Sequence, residues 1–176
     1  DIYSQKSFLS MYKDISKIIT NEHPEKQRKI IIVAHSQPEA STVPMGGNYS
    51  SHINLVLKLR SLGISDDIFY KEHAVSKIYF DTKLGPTGVG GYRSKQYLKT
   101  LTSLGVKFVP IDESNLRKDK NWIITITGTI AVERSLVGLK TIVAGNPWFE
   151  GLPGTIPIDQ VTKDLLNTDP NDDLTN

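Results

Sequence analysis

Thr125-Ile126-Thr127-Gly128-Thr129-Ile130-Ala131-Val132-Glu133 is the stretch whose reading decides the fold. An apolar, β-branched run from Trp122 to Ile126 stops at Thr127-Gly128-Thr129, and a helix-like pattern follows at once. This order reads as a strand, a tight turn and a helix N-terminus. At such a turn free backbone N–H groups meet the positive end of a helix dipole, which suits a phosphate. Glu133 lies one turn beyond Thr129 on the same helix face. Its carboxylate is placed to accept hydrogen bonds from sugar hydroxyls. The same turn can equally serve only to connect two elements.

Outward from this stretch the pattern repeats. Ile30 to Ala34, Ile68 to Tyr70, Val106 to Ile111 and Thr141 to Ala144 are further short apolar runs. Helical spacing covers residues 2 to 20, Tyr49 to Leu62, Tyr92 to Leu104, Thr129 to Leu139 and Asp159 to Asn167, with a helical turn around Glu113 to Arg117. Solid apolar strands alternating with helices mark a parallel sheet covered on both faces. The expected fold is therefore α/β, a Rossmann-like parallel sheet with helices on both faces. The expected division is an N-terminal helix and linker over 1–28, a Rossmann-like nucleotide-sugar-binding domain over 29–167 and a polar tail over 168–176.

The composition of these 176 residues, 38% hydrophobic and 23% charged, is that of an ordinary soluble protein with room for one domain. A net charge of +2 gives no argument for nucleic acid. No apolar run approaches the roughly 20 residues of a membrane helix. The chain has no cysteine, which excludes disulfides and thiolate metal sites and fits a cytoplasmic location. The four histidines have no zinc spacing, and neither an Asp-x-Asp metal motif nor a Gly-x-Ser-x-Gly elbow is present. No metal site is expected.

Four polar clusters follow four strands: His35-Ser36-Gln37-Pro38-Glu39, Lys71-Glu72-His73, Thr127-Gly128-Thr129 and Gly145-Asn146-Pro147-Trp148. A doubly wound sheet sets them all on one edge, where ligands bind. Lys71 and His73 can neutralise a phosphate, or stand as solvated charges at a strand end. Gln37, Glu39, Ser41 and Thr42 form a hydrogen-bonding loop or simple turn chemistry. Trp148 and Phe149 can stack on a base or sugar, or pack the sheet edge. Gly85 to Gly91 matches neither the P-loop nor the dinucleotide fingerprint. Arg93 after it could reach an anionic ligand.

The ordered set of motifs resembles a known family. Gln37-Pro38-Glu39-Ala40-Ser41-Thr42 with Pro44-Met45-Gly46-Gly47, Lys71-Glu72-His73, Thr127-Gly128-Thr129 through Glu133, and Gly145-Asn146-Pro147-Trp148-Phe149 resemble, in order, the motifs of bacterial capsular polysaccharide biosynthesis proteins. Ala74 stands where the family's histidine motif has proline, which leaves that turn less rigid. The resemblance implies a glycosyltransferase of the two-Rossmann (GT-B) type, related to Kdo transferases and sialyltransferases, with this chain as its C-terminal donor-binding domain. It implies a CMP-sugar donor as substrate, no cofactor, a glycan acceptor, and an N-terminal Rossmann-like domain through which peripheral membrane association would occur. His73 and Lys71 would contact the donor phosphate, as would Thr127, Gly128 and Thr129; Glu133 would bind the ribose. His73 and Glu133 are the catalytic candidates, and Gln37 and Glu39 further donor contacts. Two alternatives share the architecture: a sugar-nucleotide epimerase or hydrolase, and a non-catalytic flavodoxin-like interaction module.

Overall fold

The computed structural model describes residues 10–14, 30–35, 43–74, 93–110, 115–118 and 120–171. Among the described residues, six strands form one sheet: β1 (Ile30–Val33), β2 (Ile68–Lys71), β3 (Val106–Phe108), β4 (Trp122–Thr125), β5 (Thr141–Val143) and β6 (Thr155–Pro157). Their order is β3-β2-β1-β4-β5-β6, and every neighbouring pair is parallel. The chain winds outward from β1 through β2 to β3, then returns to pair β4 with the other side of β1. That reversal is the topological switch point of an α/β Rossmann-like domain, as the alternating pattern predicts.

The apolar runs become strands buried on both faces. Ile30, Ile32, Ile68, Tyr70, Trp122, Ile124 and Ile142 point to one face. They meet Leu55, Val56 and Leu59 of α1 (His52–Ser61), Leu98 and Leu101 of α2 (Lys95–Ser103), and Leu166 of the short α4 (Lys163–Leu166). Ile31, Phe69 and Ile123 point to the other face, against Leu116 and Ile130. There Ala131 of α3 (Ile130–Ser135) packs with Val143 and Phe149. Each fully buried aliphatic side chain contributes about 1.5–3 kcal/mol.

Arg134 locks α3 onto this second face. Its buried guanidinium donates to Thr141 Oγ1 at 3.0 Å and to the carbonyls of Leu116 at 2.7 Å, Asn121 at 3.1 Å and Lys140 at 3.3 Å. Thr168 and Pro170 also return to the sheet, accepting from Trp122 Nε1 at 3.2 Å and the Lys140 N–H at 2.9 Å.

Three elements differ from the sequence reading. The helix expected over Tyr49 to Leu62 is a 3-10 turn (Gly47–Ser50) followed by α1, because Ser51 is extended between them (φ −97°, ψ 121°). The last helix is likewise divided, into a 3-10 turn (Ile158–Gln160) and α4, whose first turn is capped by the Thr162 side chain. The periodicity also misses β6, which is three residues long and ends in a proline tolerated on an edge strand. Of the helix read over residues 2 to 20, only 10–14 lie within the described residues, and they are helical. No helix among the described residues is long and apolar enough to cross a membrane.

Where β4 and β5 end, the backbones come very close. A Cβ on Gly145 would lie 2.8 Å from the Met45 carbonyl oxygen and 2.9 Å from Thr127 Cγ2. Gly145→Ala is therefore expected to lower stability by about 1–3 kcal/mol, read as a lower urea midpoint.

Candidate functional site

The sheet delivers four strand ends to one rim in the order β2, β1, β4, β5. Neighbouring strands lie about 4.8 Å apart, so the rim spans roughly 14 Å. The ladder runs on past the strands: Ala34 N–H donates to the Lys71 carbonyl, Ala144 N–H to that of Thr125 and Gly145 N–H to that of Ile126, each at 2.9 Å. The segment after β1 comes back over the far end, where the Asn146 N–H donates to the Met45 carbonyl at 2.8 Å. Thus His35, Lys71 to His73, Thr127 to Thr129 and Gly145 to Trp148 share this edge. Gln37, Glu39, Ser41, Thr42 and Gly85 to Gly91 lie outside the described residues.

The Thr127-Gly128-Thr129 turn is built differently from the open phosphate loop its sequence suggests. Thr125 Oγ1 accepts the Gly128 N–H at 3.1 Å, so this backbone donor is already engaged. The cap demands glycine, since a Cβ would stand 2.5 Å from that hydroxyl. Thr127 is buried, and its hydroxyl has no hydrogen-bond partner. Thr129 is exposed at the start of α3, and its carbonyl accepts the Glu133 N–H at 3.0 Å. The Glu133 carboxylate meets Arg117 at 2.6 Å in a pair that is half exposed and contributes little to stability. At the end of β2, Lys71 is buried on the Phe69 side of the sheet and His73 is half-buried.

Glu72 is the residue of this cluster whose role the sequence reading overlooks. It continues the Ile68, Tyr70 alternation, so its carboxylate turns into the core and is 1% exposed. A buried charge must be paired. Glu72 Oε1 accepts Arg93 at 2.9 Å and the His73 N–H at 2.8 Å, while Oε2 accepts the Tyr70 hydroxyl at 3.1 Å. The Tyr12 hydroxyl takes the Glu72 N–H at 3.0 Å and donates to the Val109 carbonyl at 2.6 Å, pinning the helical stretch 10–14 to the ends of β2 and β3. Arg93 also donates to the His35 carbonyl at 3.1 Å. Its terminal nitrogens thus serve groups inside the protein, Glu72 and the His35 carbonyl.

Two histidines lie against this pair. The His35 and His52 rings are 4.8 Å apart and tilted by 31°. His52 opens α1 at an apolar helical position with Leu55, Val56 and Leu59, a spacing that could have announced its burial. The Tyr97 hydroxyl accepts the His52 N–H at 3.1 Å and lies 3.0 Å from His52 Nδ1. Burial, then the Arg93 charge, then His73 lower the pKa of His35 to about 3. Burial, Arg93 and His35 hold His52 well below the usual imidazole range. Both rings are neutral at neutral pH. Both nitrogens of His35, Nε2 of His52 and Nε of Arg93 have no hydrogen-bond partner, and each such buried group costs about 1–3 kcal/mol. Beyond β5, Phe149 is buried while Trp148 is 71% exposed and edge-on to it, ring centroids 5.3 Å apart.

No protein family and no curated protein matches the chain. Among solved structures it is similar to Thermosulfurimonas dismutans KpsC, a beta Kdo 2,7 transferase, at 16% identity and a TM-score of 0.54. The similarity covers 89% of this chain and 49% of that one. The chain thus spans about half the length of that structure, and the likeness is one of fold.

Two outcomes follow from the buried charges. Arg93→Met leaves Glu72 without its cation and is expected to cost about 3–5 kcal/mol in urea denaturation. The double variant with Glu72→Gln is expected to lose less than the two single losses added. The neutral histidines bind fewer protons folded than unfolded. Their contribution is full above the unfolded pKa of about 6.5 and is lost as pH falls below it, by up to about 1.4 kcal/mol per pH unit per histidine. His35→Gln is expected to flatten that slope in urea midpoints taken across this range.

Proposed function

We propose that this chain is the donor-binding part of a glycosyltransferase of capsule or surface polysaccharide biosynthesis, and that its donor is a CMP-sugar. One observation supports the reading: the described strand ends that carry Lys71, His73, Thr127 to Thr129 and Gly145 to Trp148 lie side by side at the switch point of a fold similar to part of a Kdo transferase. Ligands of open α/β sheets bind at such a crevice. Lys71 and His73 meet the donor phosphate, and the hydroxyls of Thr127 and Thr129 complete its cradle, with Gly128 supplying the close approach of the backbone once its N–H leaves Thr125. Glu133 exchanges its exposed pairing with Arg117 for the ribose hydroxyls. Gln37 and Glu39 contact the sugar or ribose. The exposed ring of Trp148 offers a stacking surface for the base or sugar.

The reaction is a displacement at the anomeric carbon. The chain stabilises the departing nucleotide by placing fixed donors and positive charge where the phosphate's negative charge develops. The base that activates the acceptor hydroxyl belongs to another part of the enzyme, and assembly with it takes place in the cytoplasm.

Calorimetric titration of the full-length protein with CMP, UDP and ADP tests this reading. CMP is expected to bind, and Thr127→Val or His73→Ala to weaken it about tenfold, or about 1.4 kcal/mol each. Absence of binding by all three nucleotides overturns the proposal.

A further inference from the structure

We infer that the buried His35–His52 pair is the seat of an oxyanion, a phosphate or carboxylate group of the ligand bound at the rim. The inference rests on the nucleotide-sugar reading and extends it to residues that reading leaves unused.

The argument is a count of protons. Arg93 can only donate, and its terminal nitrogen lies 3.5 Å from His52 Nδ1. The Tyr97 hydroxyl, which accepts the His52 N–H, lies 3.0 Å from the same Nδ1 and can donate to it. Nδ1 is therefore the acceptor, and the proton of the neutral ring sits on Nε2. His52 Nε2 has no acceptor, nor does the Arg93 Nε–H, nor the one N–H that a neutral His35 carries. With the unpartnered Thr127 hydroxyl, which carries one proton and two lone pairs, four buried donors among the described residues stand against three acceptor positions, the other nitrogen of His35 and the two lone pairs of Thr127. Among the described residues the neighbouring carboxylate is Glu72, and it accepts from Arg93, His73 and Tyr70.

Water brings donors and acceptors in equal number and leaves this imbalance in place. An ionised phosphate or carboxylate is rich in acceptors and corrects it. The position fits as well. His35 is the second residue past β1, and the β1–β4 register carries it beside Thr127 across the switch point. The Arg93 grip on its carbonyl fixes the backbone there.

The test follows the histidine ring nitrogens by NMR in the full-length protein. The probes are inorganic phosphate, CMP and a CMP-linked 2-keto sugar acid. The His35 and His52 signals are expected to shift and saturate with the binding isotherm. His35→Gln is expected to weaken binding about tenfold. Tyr97→Phe, which frees the His52 tautomer while keeping the ring that packs on the core, is expected to weaken it severalfold. Shifts with phosphate and CMP assign the seat to phosphate; shifts with the sugar acid alone assign it to carboxylate. Rings unmoved by all three probes while CMP binds, or an unchanged affinity for the sugar acid in His35→Gln, overturn the inference and leave the nucleotide reading standing. Ring shifts with phosphate in a protein that binds no nucleotide leave the seat standing and remove that reading.

Discussion

The Glu72 carboxylate imposes its terms on the whole ligand edge of the sheet. Strand alternation carries it into the core, where an uncompensated charge is not tolerated. Arg93 answers it, and is thereby fixed against the His35 carbonyl and the His52 ring. His73 and Tyr70 fill the remaining oxygen positions, and Tyr12 takes the backbone N–H. One charge thus joins β1, β2, the residue leading into α2, and the helical stretch 10–14. A well-packed apolar replacement could serve stability as well. What the ion pair adds is a single arrangement of the polar groups beneath the rim.

The reversal of strand order between β1 and β4 turns that arrangement into a candidate site. It sets four strand ends side by side although they come from positions more than 100 residues apart along the chain, from His35 to Trp148. The rim is not uniformly open. Gly128 is capped by Thr125, Gly145 is pressed against Met45 and Thr127, and Glu133 is drawn towards Arg117. Among the described residues, unpartnered buried polar atoms remain on His35, His52, Arg93 and Thr127, which lie about the ends of β1 and β4. The likeness to KpsC, at 16% identity, concerns the fold. Residue roles have to be argued from this geometry.

Much of the architecture was legible because it is local. Ile30 to Val33 and Trp122 to Thr125 are β-branched or aromatic runs that fit a strand buried on both faces. The turn at Thr127-Gly128-Thr129 reads correctly as a strand-to-helix joint. β6 escaped because Thr155-Ile156-Pro157 is too short to show a period and only half buried. The capping of Gly128 escaped because a threonine side chain competes for backbone donors in ways that spacing does not reveal. Glu72 was readable from alternation alone, but its charge made it resemble the solvated end of a strand.

The sequence by itself determined the alternation of strands and helices, hence a parallel sheet with polar clusters at the strand ends, because hydrophobic period and turn chemistry are properties of neighbouring residues. Tertiary structure decided which of those polar residues pair. Glu72 meets Arg93 across 21 residues, and His35 stacks on His52 at the head of a different element. Such pairings depend on the winding order of the strands and on the need to neutralise charge inside a low-dielectric core, and neither is written in any local stretch of the chain.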